Sequence, residues 1–488
     1  MKVKTPLLGV KIAGGLEGAM TAWAGVSPLI MLERKCGLIE VADKVLPVKK
    51  SDRGLESGHM MESFVLLSAM GGDRVDDMER LRQDGGLAAM LGYSPPAAET
   101  ARQWLDKFHD EALMAGRPLQ GSFLPPESKY LAGLAEVNRQ VIWAYIKSAL
   151  PETWLIPESQ WPSLGVGQPG IEAKPIPWVT LDIDAHLVET HKEGAKVCYD
   201  GYPAFQPMVI TWAETGLILV DEFREGNVNA SIGIQRLVDK AVYEVLPPGS
   251  WRIRIRSDSA AYEQDNLDHW DRNHWEFAVS ADMSPQLKAE IEALAPEAWQ
   301  PWKEEKKVER SEIREWAEVA YVPSKKKEKK DSKPYRYVAI RIRRRQGELF
   351  NDGSSVRYFA VVSNRWEMGG QELLEWQRGK AGTVEQSHDI LKNELGAGVY
   401  PSSKHGANAA WLRLQVLTHN LLQLLKKAAL PEEYATAKPK RLRFAIFTQF
   451  GRVVRHAGQV LLRITNQAWN TLIRSAQQRI GAMVLDTG

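Results

Sequence analysis

WVTLDID at 178–184, PMVITWA at 207–213 and GLILVDEF at 216–223 are three β-branched or aliphatic runs, the last two joined by a short turn at 214–216. They predict a three-strand antiparallel meander. Beyond it, SIGIQRLVDKAVYEVL (231–246) has a helical period and WRIRIRSD (251–258) alternates as a strand. SAAYEQDNLDHWDRN (259–273) is helical again, and HWEFAVSA (274–281) closes the series as a strand. The order is β-β-β-α-β-α-β.

That succession predicts an α/β core of ribonuclease-H-like (retroviral-integrase-like) type, a mixed five-stranded sheet flanked by helices, with its first part at 178–284. Residues 285–375 break the series. They contain a lysine run and two further strands, YRYVAIRIRRR (335–345) and VRYFAVVSN (356–364), around the turn NDGSS, and predict an inserted β-rich subdomain. Helical periodicity resumes at LLEWQRGKAGTVEQSHDILKNEL (373–395), so 376–430 is expected to complete the core, and 431–488 to form a basic C-terminal region. On the N-terminal side, apolar residues recur at three- and four-residue spacing through 1–150, which predicts a helical domain; the Pro- and Gly-rich stretch 151–177 predicts a linker. A chain of 488 residues suits this many parts.

Composition narrows the function classes. With 44% hydrophobic and 25% charged residues the chain can bury real cores. No run approaches a membrane span, and MKVKTPLLGVKIAGG is too weakly apolar for a signal peptide, so a cytoplasmic, nucleoid-associated protein with no membrane partner is expected. Two cysteines, Cys36 and Cys198, exclude a disulfide framework and a cysteine-built zinc site, leaving oxygen or imidazole as metal ligands. The net charge of +2 hides two basic segments, 325–345 and 438–463, which suggest a polyanion touched at more than one place. A solvated lysine loop accounts equally for 325–330. Tryptophan, at 17 residues, offers rings that stack on bases, although most tryptophans are core.

Alternation within 179–184 puts Asp182 and Asp184 on one face of a strand. Unless that face meets solvent, two carboxylates there require a cation, metal or basic side chain. Asp258 ends the strand 251–258, where taken alone it reads best as an N-cap; the strand order sets it beside Asp184. Glu385, His388, Asp389 and Lys392 fall at offsets of three, four and seven along the helix 383–395, a pattern that on its own describes a solvated face. Together with the two aspartates, Glu385 would complete a set of three acids able to hold two divalent cations.

LDIDAHLVETHKEGAK (181–196), DGYPAFQPMVI (200–210), IRSDSAAYEQDNLDHW (255–270) and GKAGTVEQSHDILKNELGAG (379–398) resemble the DDE transposases of bacterial insertion sequences, and within them the insertion-sequence family numbered thirteen-eighty. The resemblance covers roughly residues 20–465. It implies a catalytic and metal-binding triad of Asp184, Asp258 and Glu385, with Asp182 as rival for the first place, using Mg²⁺ or Mn²⁺. It also implies DNA contacts from Lys392, Arg378, Lys380 and His388. Lys392 matches the family's lysine; Arg378 stands where a tyrosine is expected and Ala381 where an arginine is. The implied activity is cut-and-paste transposition: hydrolysis at the terminal inverted repeats, then attack of the freed 3′-hydroxyl on target DNA by a dimer that pairs two ends. The implied hairpin intermediate would use a stacking ring, Trp366 or Trp376, and the N-terminal helices would read the repeats with the acidic stretch 73–84 turned away. A transposase-derived DNA-binding protein without cleavage and a metal-dependent nuclease share these features.

Overall fold

The runs that open the core become β1 (Trp178–Ala185), β2 (Met208–Trp212) and β3 (Leu217–Glu222). The computed structural model describes residues 18–47, 54–118, 120–149, 177–249, 251–303, 312–324, 334–344, 349–351, 353–456 and 459–484. The predicted linker, apart from Pro177, the lysine run 325–330 and the opening MKVKTPLLGVKIAGG lie outside the described residues. β1 and β2 pair antiparallel, as do β2 and β3, and the apolar side chains of all three are buried, apart from Trp178 and Ala185 at the ends of β1. On the other side of β1 lies β4 (Arg252–Ser257), parallel to it, and then β5 (Glu276–Ser280), parallel to β4. Parallel pairing requires crossovers. Two helical segments, the first Ile234–Asp239 continued by a π-helical Lys240–Val245 and the second Gln264–Arg272, supply them.

The sheet does not stop at five strands. β6 (Glu312–Val319), β7 (Arg336–Arg344) and β8 (Val356–Ser363) form an antiparallel extension that joins β5 through Val362 opposite Val279. With the short strand Gln300–Pro301 they make one nine-stranded mixed sheet. The expectation of a five-stranded sheet is corrected here: β5 would otherwise end as an open edge, and the strands of 285–375 cover it. Across the new register Glu315 stands opposite Arg341 and accepts bonds of 2.9 Å from both Arg341 and Arg343.

The N-terminal segment is mainly helical, as its periodicity predicts, and within it SPLIMLERKCGLIEVADKVL (27–46) forms two helices, Ser27–Lys35 and Leu38–Val45. Gly37 separates them at φ 66°, a conformation open to glycine at no steric cost. The helices α1 (Ser57–Ala69) and α2 (Lys129–Ala149) belong to the same continuous apolar core as the sheet. A short strand, Ala19–Thr21, pairs with Gly451–His456, tying the start of the described chain to its C-terminal region.

The first three helices after the sheet are α3 (Gly370–Arg378), α4 (Val384–Glu394) and α5 (His405–Ala428). α5 is buried almost all round and packs on α1, α2 and β3, as expected of a helix apolar on every side. Its buried polar side chains are hydrogen-bonded, except that Gln415, which accepts from Ser68 Oγ, leaves its Nε2 without a partner among the described residues. Asn420 accepts from Ile218 N at 2.9 Å and donates to Ile218 O at 2.8 Å, capping the outward edge of β3. Gly406, in the first turn of α5, lies against the loop at 108–109, and a methyl added there would fall on the carbonyl oxygen of Phe108 and the Cα of His109. Gly406→Ala is expected to cost about 1–3 kcal/mol by overpacking, read as a lower urea midpoint. An unchanged midpoint would show that the loop yields freely. No helix among the described residues is long and apolar enough to cross a membrane.

Candidate active site

Parallel register sets Asp182 beside Arg256 and Ile183 beside Ser257, so the following residues, Asp184 and Asp258, leave β1 and β4 at the same end of the sheet. Thr180, Asp182 and Asp184 share the face that carries Arg252, Arg254 and Arg256. α3 covers that face. Trp376 lies over the guanidinium groups of Arg256 and Arg365, at 5.4 and 4.7 Å, and its carbonyl accepts from Arg256 at 2.8 Å. Gln377 donates to the Ser257 carbonyl at 3.0 Å and to Ser280 Oγ at 3.1 Å. With its end clamped to β4 and β5, α3 delivers the turn Gly379–Gly382 and the start of α4 to the strand ends.

The two aspartates of β1 meet different fates. Asp182 is fully buried, with Arg256 forked onto it at 2.6 and 2.7 Å and Thr383 Oγ1 donating to the same carboxylate. A bidentate guanidinium satisfies that charge. Asp184, nearer the strand end, takes Lys380 Nζ at 3.1 Å on Oδ1 and has His388 Nε2 3.8 Å from Oδ2. Burial pushes its carboxyl up; Lys380 opposes this, but the charges of Asp258 and Glu385 add to it, leaving Asp184 at about 6. Asp258 and Glu385 thus each act electrostatically on Asp184.

Asp258 caps the turn Ser259–Ala261, accepting from Ala260 N at 3.1 Å, so the capping role and the place at the strand end hold together. Glu385 lies exposed in the first turn of α4. Among the described residues no three carboxylate, imidazole or thiol groups are drawn closely enough to enclose one ion. The chemistry of the donors nonetheless suits a hard cation: all three are carboxylates, and the burial of Asp184 together with its repulsion by the other two is what a divalent charge would offset.

The expected DNA contacts are distributed unevenly. Lys392 is half-buried and acts electrostatically on His186, whose imidazole burial and then Lys392 pull below its ordinary value. Arg378 holds its guanidinium 5.3 Å from the Trp302 ring. Lys380 is buried on Asp184. His388 requires a correction: it is buried, and its ring lies 5.3 Å from that of His186. Burial first, and then the neighbouring His186, bring its imidazole down to about 3, so it is neutral. The reason is spacing, since Val384, His388, Leu391 and Leu395 form the inward stripe of the helix, leaving Glu385 outside. Trp366, after β8, is exposed. Sequence reasoning missed Arg256 and Thr383 as holders of Asp182. The only signal for Arg256 was its alternation with Ile253 and Ile255, which puts it on a polar face.

No curated protein matches the chain. A solved structure similar to it is the cryo-EM structure of the piggyBac transposase synaptic complex with hairpin DNA, at a TM-score of 0.39 and 8% sequence identity, covering 94% of this chain and 86% of that one. The family described as Transposase DDE domain group 1 matches residues 170–484, well over half of the chain and the span that contains Asp184, Asp258 and Glu385. The chain accordingly belongs to the DDE transposases of domain group 1.

Proposed function

We propose that this transposase is an insertion-sequence enzyme that cleaves DNA at terminal inverted repeats and joins the freed 3′-hydroxyl ends to target DNA, with Asp184, Asp258 and Glu385 as its catalytic acids. The observation that carries the reading is the shared strand end: parallel β1 and β4 leave Asp184 and Asp258 side by side, and the charge of Glu385 reaches Asp184. The core is then ribonuclease-H-like, and the insertion-sequence family thirteen-eighty is the subgroup its motifs fit. The enzyme acts on double-stranded DNA, both element ends and target, and pairs two ends as a dimer.

In this mechanism the three carboxylates would hold Mg²⁺ or Mn²⁺. When bound, such cations make water or a 3′-hydroxyl a better nucleophile and neutralise charge developing at phosphorus. The rest falls to the chain. Arg256 fixes Asp182 and, through Trp376, the end of α3, so that the neighbouring Asp184 is presented from a rigid strand end. Lys380 keeps Asp184 charged against its burial and its acidic neighbours. Lys392 and Arg378 flank the site on α4 and α3 and supply positive charge to DNA phosphates.

The test is incubation of the purified chain and Mg²⁺ with duplex DNA carrying the terminal sequences of the DNA segment that encodes it, together with a supercoiled target plasmid. Cleaved ends and joined products are expected. Cleavage without joining would identify a nuclease instead, and binding without cleavage even in Mn²⁺ a DNA-binding derivative.

A further inference from the structure

From Tyr434 to Leu485 the chain carries nine lysines and arginines and no aspartate or glutamate. Charge of one sign over so long a stretch suits a polyanion. Within it, Pro439–Leu442 is helical and continues as a π-helical Arg443–Phe447, closed by a 3.0 Å bond from Thr448 N to the Arg443 carbonyl. Leu442, Ala445, Ile446 and Phe447 turn inward and are buried. Phe444 follows Arg441 by three positions and Lys440 by four, so the three side chains share the outer face. All three are exposed, Phe444 with 79% of its surface.

The segment is fastened to α4, the helix that carries Glu385. Lys438 Nζ lies 2.7 Å from Asp389 Oδ2, Lys440 N donates to Glu394 Oε2 at 2.6 Å, and Arg443 Nη1 donates to the Glu394 carbonyl at 3.0 Å. Asp389 is one helical turn beyond Glu385, about 6 Å along the axis, and Glu394 is about 14 Å beyond it. Duplex bound at the carboxylates can therefore reach this face within about one turn, roughly 10 base pairs. Asp389 and Glu394 meet the segment through Lys438 and a backbone amide, and among the described residues no carboxylate pairs with the side chain of Lys440 or Arg441. A single exposed ring needs no explanation. A ring set between cations that no acid neutralises is a surface for an anionic polymer with an apolar groove. A second copy of the chain fits poorly, because it would present the same acid-free face and two such faces repel.

We infer that the outer face of residues 439–447 is a docking surface for duplex DNA, on which Lys440 and Arg441 hold backbone phosphates and Phe444 packs against sugars and base edges in a groove. The inference deepens the proposed function and rests on it only for where the contact falls relative to the cut, since duplex binding is measured without cleavage. The two kinds of contact have different signatures. Each cation on a phosphate releases counterions and steepens the salt dependence of binding, whereas an apolar contact adds affinity at every salt concentration.

The experiment measures binding of the full chain to a short fluorescent duplex by anisotropy, without divalent metal, over a series of salt concentrations. Lys440→Ala combined with Arg441→Ala is expected to lower the slope of log affinity against log salt by about 2. Phe444→Ala is expected to weaken binding roughly 10-fold or more at unchanged slope, and Phe444→Leu to retain most of the affinity. Lys288→Ala, an exposed lysine on the helix Pro285–Glu292 beside Glu290 and Glu292, is expected to change neither. On duplex that the wild type cuts, hydroxyl-radical protection lost in the double variant is expected within about 10 base pairs of the cut. An unchanged slope in the double variant, an equal fall with Lys288→Ala, or Phe444→Ala that binds as wild type would each overturn the inference. Protection lost only farther from the cut would do the same. Loss of self-association by Phe444→Ala in sedimentation, with DNA affinity retained, would assign the face to a second copy instead. A wild type that binds duplex with these signatures but cuts nothing would support the docking surface and overturn the cleavage reading alone.

Discussion

Asp184→Asn and Asp258→Asn are each expected to reduce DNA cleavage by about a thousand-fold or more, while Asp182→Asn costs stability. A divalent cation at a phosphoryl centre is worth several kcal/mol, and each 1.36 kcal/mol is tenfold in rate, so losing about 4 kcal/mol gives that factor. Neither strand-end substitution should unfold the chain: Asp258 retains an oxygen to accept from Ala260 N, and Asp184→Asn removes a carboxyl whose burial and acidic neighbours already penalise its charge, while leaving Lys380 an amide oxygen to bond. Asp182 is the contrary case. Its carboxylate is fully buried under a forked Arg256, itself only 8% exposed at the side chain, and an amide there leaves a buried guanidinium without its counter-charge. Breaking such a pair costs about 3 kcal/mol or more. The check is urea unfolding beside single-turnover cleavage at a temperature where all three variants stay folded. Asp182→Asn should then cleave within about tenfold of wild type. If it is folded and inert while Asp184→Asn still cuts, the first acid of the triad is Asp182.

The sequence anticipates some parts of this site better than others, for reasons that differ by residue. Strands β1 to β5 were legible because β-branched runs broken by turn residues encode them locally. The common face of Asp182 and Asp184 follows from strand parity alone. What parity cannot supply is the partner. Arg256 is 74 positions from Asp182, and only the parallel register of β1 and β4 brings them together, so the need for a cation was evident before its identity was. His388 was misplaced because helical spacing admits it to either stripe, the charged one with Glu385 and Lys392 or the apolar one with Val384 and Leu391; packing against Asp184 and His186 chose the second. The hairpin of β7 and β8 could be read from its pattern, but not the edge it joins, because edge pairing is a long-range choice.

Arg413→Met is expected to lower the stability of the folded chain by about 3–5 kcal/mol. Arg413 is buried on α5, where its Nε lies 3.0 Å from Asp221 at the end of β3, while its Nη1 lies 2.6 Å from Glu127 and 2.6 Å from the Leu131 carbonyl. One guanidinium thereby joins the central helix, the edge of the sheet and the segment entering α2. The two acids respond differently to it. Burial pushes Asp221 above its ordinary value even with Arg413 Nε donating to its carboxylate, whereas at Glu127 burial is outweighed by Arg413 and then Lys240, which bring its carboxyl down to about 2. Methionine would retain much of the packing of the stem but leave Asp221 buried and unpaired. The double variant Arg413→Met with Asp221→Asn should therefore recover part of the loss, since it removes the stranded charge as well. The pH dependence has a definite sign. An acid whose folded value lies below its unfolded value stabilises the fold above the unfolded value, near 4.5, and that contribution fades as pH falls toward 2. Wild type should lose stability through that window more steeply than Arg413→Met, in which Glu127 keeps only Lys240. Urea unfolding at neutral pH and at several acid values measures both effects. A single variant within about 1 kcal/mol of wild type at neutral pH would mean that water reaches Asp221 once the arginine is gone, and that the three elements are held together by their apolar contacts.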